Sequence, residues 1–336
     1  MLTPAAKTGE SQTSYLLVAF MTKFPQPPSD DYGVICLEHT DAPLAEKLNP
    51  STHYMHFKTV ARGGKAIIQS CLDRHLGRVV CYKKLKPEFQ NDKVEQVRFL
   101  REARVGAMLQ HPSTIPMYEL GRDNRGHMYF TMKLVHGYTL REVLDYGERY
   151  DLTQFLNILV QVLQALAYAH THRVVHRDIK PENILVGPYG EVLLLDWGLA
   201  KVWPEKAGND EPESEGGTQS DEPVTNITSQ GNLEGTVTYM SPEQLRRDPD
   251  IDYRSDIFSM GVILYEVLCG RTPAVADTVR EMADAVQNET PLVPSAHTGI
   301  RIPKYLDTLA MRCIAKSPDD RVEDCAQLIR LLQEEW

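Results

Sequence analysis

The sequence predicts an α+β protein, a small β-rich part followed by a larger helical part. Three observations lead there. Short apolar runs recur between Tyr54 and Lys133, the pattern of strands bounded by turns. From Asp151 onward apolar residues fall at helical spacing: Leu152, Phe155, Leu156, Leu159, Leu163 and Leu166. Between these helices and those that follow stands a polar constellation, His176-Arg177-Asp178-Ile179-Lys180-Pro181-Glu182-Asn183, with Asp196-Trp197-Gly198 after it.

That constellation carries the chemistry. The run Val192-Leu193-Leu194-Leu195 reads as a short buried strand between Gly190 and Asp196. It delivers a carboxylate at its end, where a metal could sit. The stretch resembles the catalytic loop and metal-binding strand of the eukaryotic-type protein kinases, whose signatures are H-R-D-L-x-x-x-N and D-F-G. Ile179 replaces the Leu and Trp197 the Phe. The resemblance is to the bacterial Hanks-type Ser/Thr branch. It implies a two-lobed fold with a β-rich N-lobe (51–135) and a helical C-lobe (136–336). Phosphoryl transfer needs positioning and charge neutralisation more than covalent chemistry. By resemblance Asp178 accepts the hydroxyl proton, Lys180 touches the transferred phosphate, and Asn183 and Asp196 hold Mg²⁺ beside ATP.

Composition agrees with one large domain or two medium ones in 336 residues, with 42% apolar and 24% charged residues. A net charge of -10 argues against a nucleic-acid partner. Six scattered cysteines show no C-x-x-C or metal spacing, which suits reduced thiols and a cytoplasmic protein. No apolar run is long enough for a membrane span, and the N-terminus lacks signal-peptide features. The chain stops at Trp336 without a span beyond the kinase-like region, so a soluble member of the family is expected.

In order along the chain, residues 1–50 form an extension of unknown role, Pro-rich near Lys23 to Asp31. Ala61-Arg62-Gly63-Gly64-Lys65-Ala66 stands where the family has G-x-G-x-x-G. Ala61 and Ala66 replace the outer glycines and Gly63 is kept, so a stiffer phosphate loop is expected. Val80-Cys81-Tyr82-Lys83 resembles the V-A-I-K strand, which gives Lys83 the phosphates. Glu102, on a helix from about Asn91 to Leu109, is the implied partner of Lys83. Met132 corresponds to the residue behind the adenine, and Lys133 to Val135 to the backbone that recognises it. Ile68, Cys81 and Leu185 would sandwich the ring.

Residues Pro204 to about Asn232 are polar and acidic and match an activation loop. Gly235-Thr236-Val237-Thr238-Tyr239-Met240-Ser241-Pro242-Glu243 resembles the segment that anchors its end. It implies that Thr236 contacts the catalytic Asp and Lys and that Glu243 pairs with Arg321. Thr228, Ser229 and then Thr225 are candidate autophosphorylation sites that would dock on Arg177. Autophosphorylation implies self-association. Asp256 opens a nearly all-apolar helix and would hold the catalytic loop's backbone. Gly106 stands where a large apolar residue is usual, four positions after Glu102. The expectation is that the Trp197 indole fills the space. Two alternatives to an active protein kinase are carried. One is a nucleotide-binding pseudokinase, suggested by the two alanines. The other is a small-molecule kinase, disfavoured by the Thr236–Glu243 segment.

Overall fold

The computed structural model describes residues 53–146, 150–203, 237–299 and 301–333. The first lobe is a five-stranded antiparallel sheet: β1 (Tyr54–Arg62), β2 (Ala66–Asp73), β3 (Arg78–Leu85), β4 (Met117–Arg122) and β5 (Met128–Lys133). Their order is β1-β2-β3-β5-β4. Helix α1 (Lys93–Met108) crosses one face. Asp92 caps it, accepting from the N–H groups of Val94 at 2.9 Å and Glu95 at 3.2 Å. Phe99 and Ala103 of α1 pack on Leu85, Met128 and Phe130 of the sheet. Alternation places Val80 and Tyr82 on the opposite face, against Cys71, Tyr54 and Tyr129. The β2–β3 turn is closed by Asp73, whose carboxylate accepts from the His75 and Leu76 N–H groups, His53 and Arg78.

The chain then turns into the second lobe at Gly137, whose φ of 152° and close approach to β8 (Ile184–Val186) exclude a side chain. A Cβ there would lie 2.3 Å from the Val186 carbonyl oxygen. Next come β6 (Tyr138–Thr139), α2 (Leu140–Asp145) and the long α3 (Leu152–Thr171). Asp151 and Gln154 cap α3 reciprocally, at 2.8 and 3.0 Å. By length and composition α3 could cross a membrane. Here it is a core helix, packed on α5 (Arg254–Cys269) and α8 (Cys325–Gln333). Strands β7 (Val174–Val175), β9 (Val192–Leu194) and β10 (Lys201–Val202) and helices α4 (Pro242–Arg246), α6 (Val279–Asn288) and α7 (Lys304–Cys313) complete the lobe. Helix α5 is buried along almost its whole length, as its apolar sequence requires.

The described cysteines are all free thiols.

Candidate active site

The site lies between the lobes, and each side chain is brought there by a different element. Lys83 leaves β3 two residues before its end and meets Glu102 of α1 at 2.6 and 2.7 Å. Both are largely withdrawn from water. Burial works against the Lys83 charge, but Glu102 and Asp196 outweigh it and hold its pKa above the ordinary value.

The loop between β7 and β8 supplies the second group. Lys180 Nζ donates to both oxygens of Asp178, at 2.9 and 3.0 Å. Asn183 Nδ2 donates to the Asp178 carbonyl and to its Oδ2, each at 2.9 Å. Asp178, Lys180 and Asn183 thus form one hydrogen-bonded cluster. Burial pushes the Asp178 pKa up, and Asp196 adds to this against the pull of Lys180.

The loop's shape is imposed from below. Asp256, wholly buried at the start of α5, accepts from the backbone N–H of His176 and of Arg177, each at 2.9 Å. His170 of α3 shares its Oδ2, also at 2.9 Å. Burial alone would raise the Asp256 pKa; these bonds and the nearby histidines overcome that and hold it low. Arg177 takes a left-handed φ of 66° there. Its carbonyl accepts from Gln244 Nε2 of α4 at 2.7 Å, and its own Nε donates to the Leu199 carbonyl at 2.7 Å.

Asp196 follows β9 and also has a left-handed φ, 62°. Its carboxylate accepts from the Gly198 N–H at 3.2 Å, and the residue is exposed. Partial withdrawal from water would raise its pKa; Lys83 first, then Gly198, His176 and Lys180, hold it below the ordinary value. Asp196 therefore senses both lysines, one from each lobe, and joins the two halves of the site. The donors suit a hard divalent cation, which takes oxygen ligands. Asp196 offers an ionised carboxylate. Asn183 spends its amide nitrogen on Asp178, which leaves its amide oxygen as the group it can offer.

The side chains expected around an adenine come from β2, β3, β5 and β8. Ile68 pairs with Lys83 across β2 and β3, and Cys81 pairs with Met132 across β3 and β5. Leu185 lies on β8, and its Cδ2 would lie 2.9 Å from a Cβ on Gly137. The Lys133 N–H is donated to the Pro116 carbonyl at 3.0 Å, so any backbone donor to a base must come from residues after it, up to Val135. Ala61 is the penultimate residue of β1, paired with Ile68, and only Gly63, Gly64 and Lys65 lie between β1 and β2. Thr236, Thr228, Ser229 and Thr225, together with residues 1–50, lie outside the described residues.

One expectation is overturned. The space beside Gly106 is filled by Met117 of β4, not by Trp197. All three atoms nearest a Cβ on Gly106 belong to Met117, the closest at 2.7 Å. Trp197 is buried in the large-lobe core and packs on the His176 ring, 4.6 Å between centroids. An unbranched thioether bends into an irregular gap more readily than a rigid indole. Sequence reasoning also missed Lys65, whose ammonium pairs with Glu95 of α1. The available signal was spacing: Glu95 and Glu102 share one face of the helix.

Comparison with known proteins agrees with this geometry. The model of the protein kinase domain matches residues 54–336. The chain is similar to serine/threonine-protein kinase PknD of Protochlamydia amoebophila, 33% identical over 83% of this chain and 29% of that protein. It is similar to PknB of Mycobacterium leprae, 32% identical over 79% of this chain and 40% of that one. It is also similar to PknL of Mycobacterium tuberculosis, 35% identical over 85% of this chain and 66% of that one. The chain thus spans well under half the length of the first two relatives. The paired lysine and glutamate, the Asp178 cluster and the family match together place it: the chain belongs to the protein kinase family, in its bacterial Hanks-type Ser/Thr branch.

Proposed function

We propose that this chain transfers the γ-phosphate of ATP to Ser or Thr hydroxyls of proteins, itself included, with Asp178 as the proton acceptor. The observation that carries the reading is the hydrogen-bonded Asp178–Lys180–Asn183 cluster together with the Lys83–Glu102 pair, both of which interact electrostatically with Asp196. The attacking hydroxyl gives its proton to the Asp178 carboxylate as its oxygen bonds to phosphorus and the bond to ADP breaks. A raised pKa makes Asp178 a stronger base than an ordinary aspartate. Lys180 and Asn183 fix its orientation, and Lys180 stands ready for the charge on the moving phosphoryl group. Lys83, oriented by Glu102, binds the α- and β-phosphates. Asn183 and Asp196 would hold Mg²⁺, which neutralises phosphate charge. Ile68, Cys81, Met132, Leu185 and backbone from Lys133 to Val135 would hold the adenine, and Ala61 to Gly63 would approach the phosphates.

Thr236 is assigned to Asp178 and Lys180 as a substrate-side contact. Thr228, Ser229 and Thr225 are the proposed autophosphorylation sites, with Arg177 as their anchor and transient self-association as the route. Cysteines without a disulfide or metal spacing favour the cytoplasm, and the net negative charge disfavours a nucleic-acid partner. The second reading, a nucleotide-binding scaffold without turnover, draws on the alanines at 61 and 66. Transfer of labelled phosphate to casein or to the chain, with Asp178→Asn as control, separates the two. Turnover that survives Asp178→Asn undiminished removes Asp178 from its role.

A further inference from the structure

Two lysines of the small lobe, one on β3 and one in the β1–β2 turn, end on one face of helix α1. Lys83 holds Glu102, and Lys65 holds Glu95. Seven positions separate 95 from 102, which is close to two turns, so the carboxylates stand one above the other about 10 Å apart along the axis. Both carboxylates are buried. The family resemblance accounts for the first pair and not for the second. Glu95 has a further cation, Arg98, whose Nη1 donates to it at 2.9 Å.

Lys65 is the last residue of the short turn between β1 and β2, the turn assigned to the phosphates. That turn is tied down on three sides. The Lys65 side chain lies on Glu95. Its carbonyl accepts from the Lys86 N–H at 2.9 Å. The Lys86 ammonium reaches the Gly64 carbonyl at 2.8 Å. Ala61 and Ala66 are locked into the ladder opposite Ile68 and Leu85. With alanine at both outer positions the turn has little freedom to fold over a nucleotide by itself. Besides β3 and the residue that follows it, the turn is attached to helix α1 through Lys65 and Glu95. The same turn of α1 abuts the metal-binding segment: a Cβ on Gly198 would lie 3.7 Å from the Arg98 carbonyl oxygen.

We infer that Lys65 is a positioning residue for phosphoryl transfer. Its bond to Glu95 makes the phosphate-covering turn and helix α1 one moving part, so that nucleotide held under the turn also steadies Glu102 on Lys83. The inference rests on the kinase reading above. The Lys65 side chain is 38% exposed and that of Glu95 5%. The pair can therefore form and break without burying an unmatched charge on the lysine side, while Arg98 continues to balance Glu95.

The test uses the full chain, a non-hydrolysable ATP analogue with Mg²⁺, and two readouts, equilibrium affinity and hydrogen exchange of the α1 amides. The analogue should protect those amides in the unaltered chain. Lys65→Met should weaken its binding about five-fold, a magnitude typical of a modest coupling between sites, and abolish the added protection. Lys65→Arg should restore both. Glu95→Gln should have an effect similar to Lys65→Met, and the double variant should be no worse than either single one. Analogue binding by the unaltered chain with α1 protection that persists in Lys65→Met overturns the inference and leaves the kinase reading standing. So do additive losses in the double variant, which would mean that Lys65 touches the nucleotide itself. No binding by the unaltered chain overturns both.

Discussion

Arg321 and Glu243 face each other as two parallel hydrogen bonds, Nη1 to Oε1 at 2.6 Å and Nη2 to Oε2 at 2.7 Å, with side-chain exposures of 0% and 6%. The arginine also donates to three backbone carbonyls, those of Ala315, Arg254 and Lys316. This one guanidinium therefore joins α4, the start of α5 and the segment after α7. Removing it strands a buried carboxylate. Arg321→Leu should cost about 3–5 kcal/mol of unfolding free energy, measured by denaturant titration. Replacing both partners by apolar residues should cost less than replacing the arginine alone.

Asp178→Asn should lower kcat by about two to four powers of ten while affinity for an ATP analogue changes little. Steady-state kinetics beside direct binding checks this. Loss of both together would assign Asp178 to nucleotide binding.

The pH profile follows from the same residue. Burial raises the Asp178 pKa, so the base is lost to protonation at a higher pH than an ordinary aspartate near about 3.9. The acid limb of kcat should lie above that value. A raised folded-state pKa favours the protonated form in the native protein. The stability it contributes is present at low pH and is lost as pH rises through the folded value. Asp178→Asn should accordingly be better tolerated, by thermal unfolding, at neutral pH than in acid.

Asp256 carries the opposite sign. Its folded pKa is depressed, so its stabilisation is present above the unfolded value and is lost as pH falls through the folded one. Asp256→Asn should cost about 3 kcal/mol at neutral pH. The gap from the unaltered chain should narrow on acidification, as read from unfolding curves at several pH values.

The two helical glycines among the described residues should respond differently to alanine. A Cβ on Gly261 of α5 would lie 2.4 Å from Cys313 Cβ and 3.1 Å from its backbone carbon, neither of which can swing away. Overpacking of this kind costs about 1–3 kcal/mol. On Gly106 the obstacle is the end of the Met117 side chain, which can rotate, and helix propensity returns about 1 kcal/mol. Gly106→Ala should be near neutral in Tm and Gly261→Ala clearly destabilising.

What the sequence disclosed was what short spacing or a local element determines. The strand before Asp196, the capped helix after Asp151 and the polar cluster from His176 to Asn183 are each contiguous in the chain. The meetings of Lys83 with Glu102 and of Glu243 with Arg321 were implied by resemblance, since no local pattern links residues so far apart. Two features needed coordinates. Whether Met117 or Trp197 fills the space beside Gly106 depends on side-chain direction across a helix–strand contact, which neither propensity nor period encodes. The Lys65–Glu95 bond joins a turn to a helix some thirty positions away. Lysines in turns read as surface unless the buried carboxylate opposite is known.

The attachment of the His176 and Arg177 amides to Asp256 has a consequence for how the two lobes share labour. The loop that carries Asp178, the proposed proton acceptor, is rooted in the central helix of the lower lobe, whereas Lys83, the proposed phosphate ligand, rides on the upper sheet. A hinge motion between them would move Lys83 and leave the backbone beneath Asp178 unchanged. On the proposed reading, readiness for the reaction would then depend on the upper lobe's approach, with the lower half of the machinery held in place by Asp256.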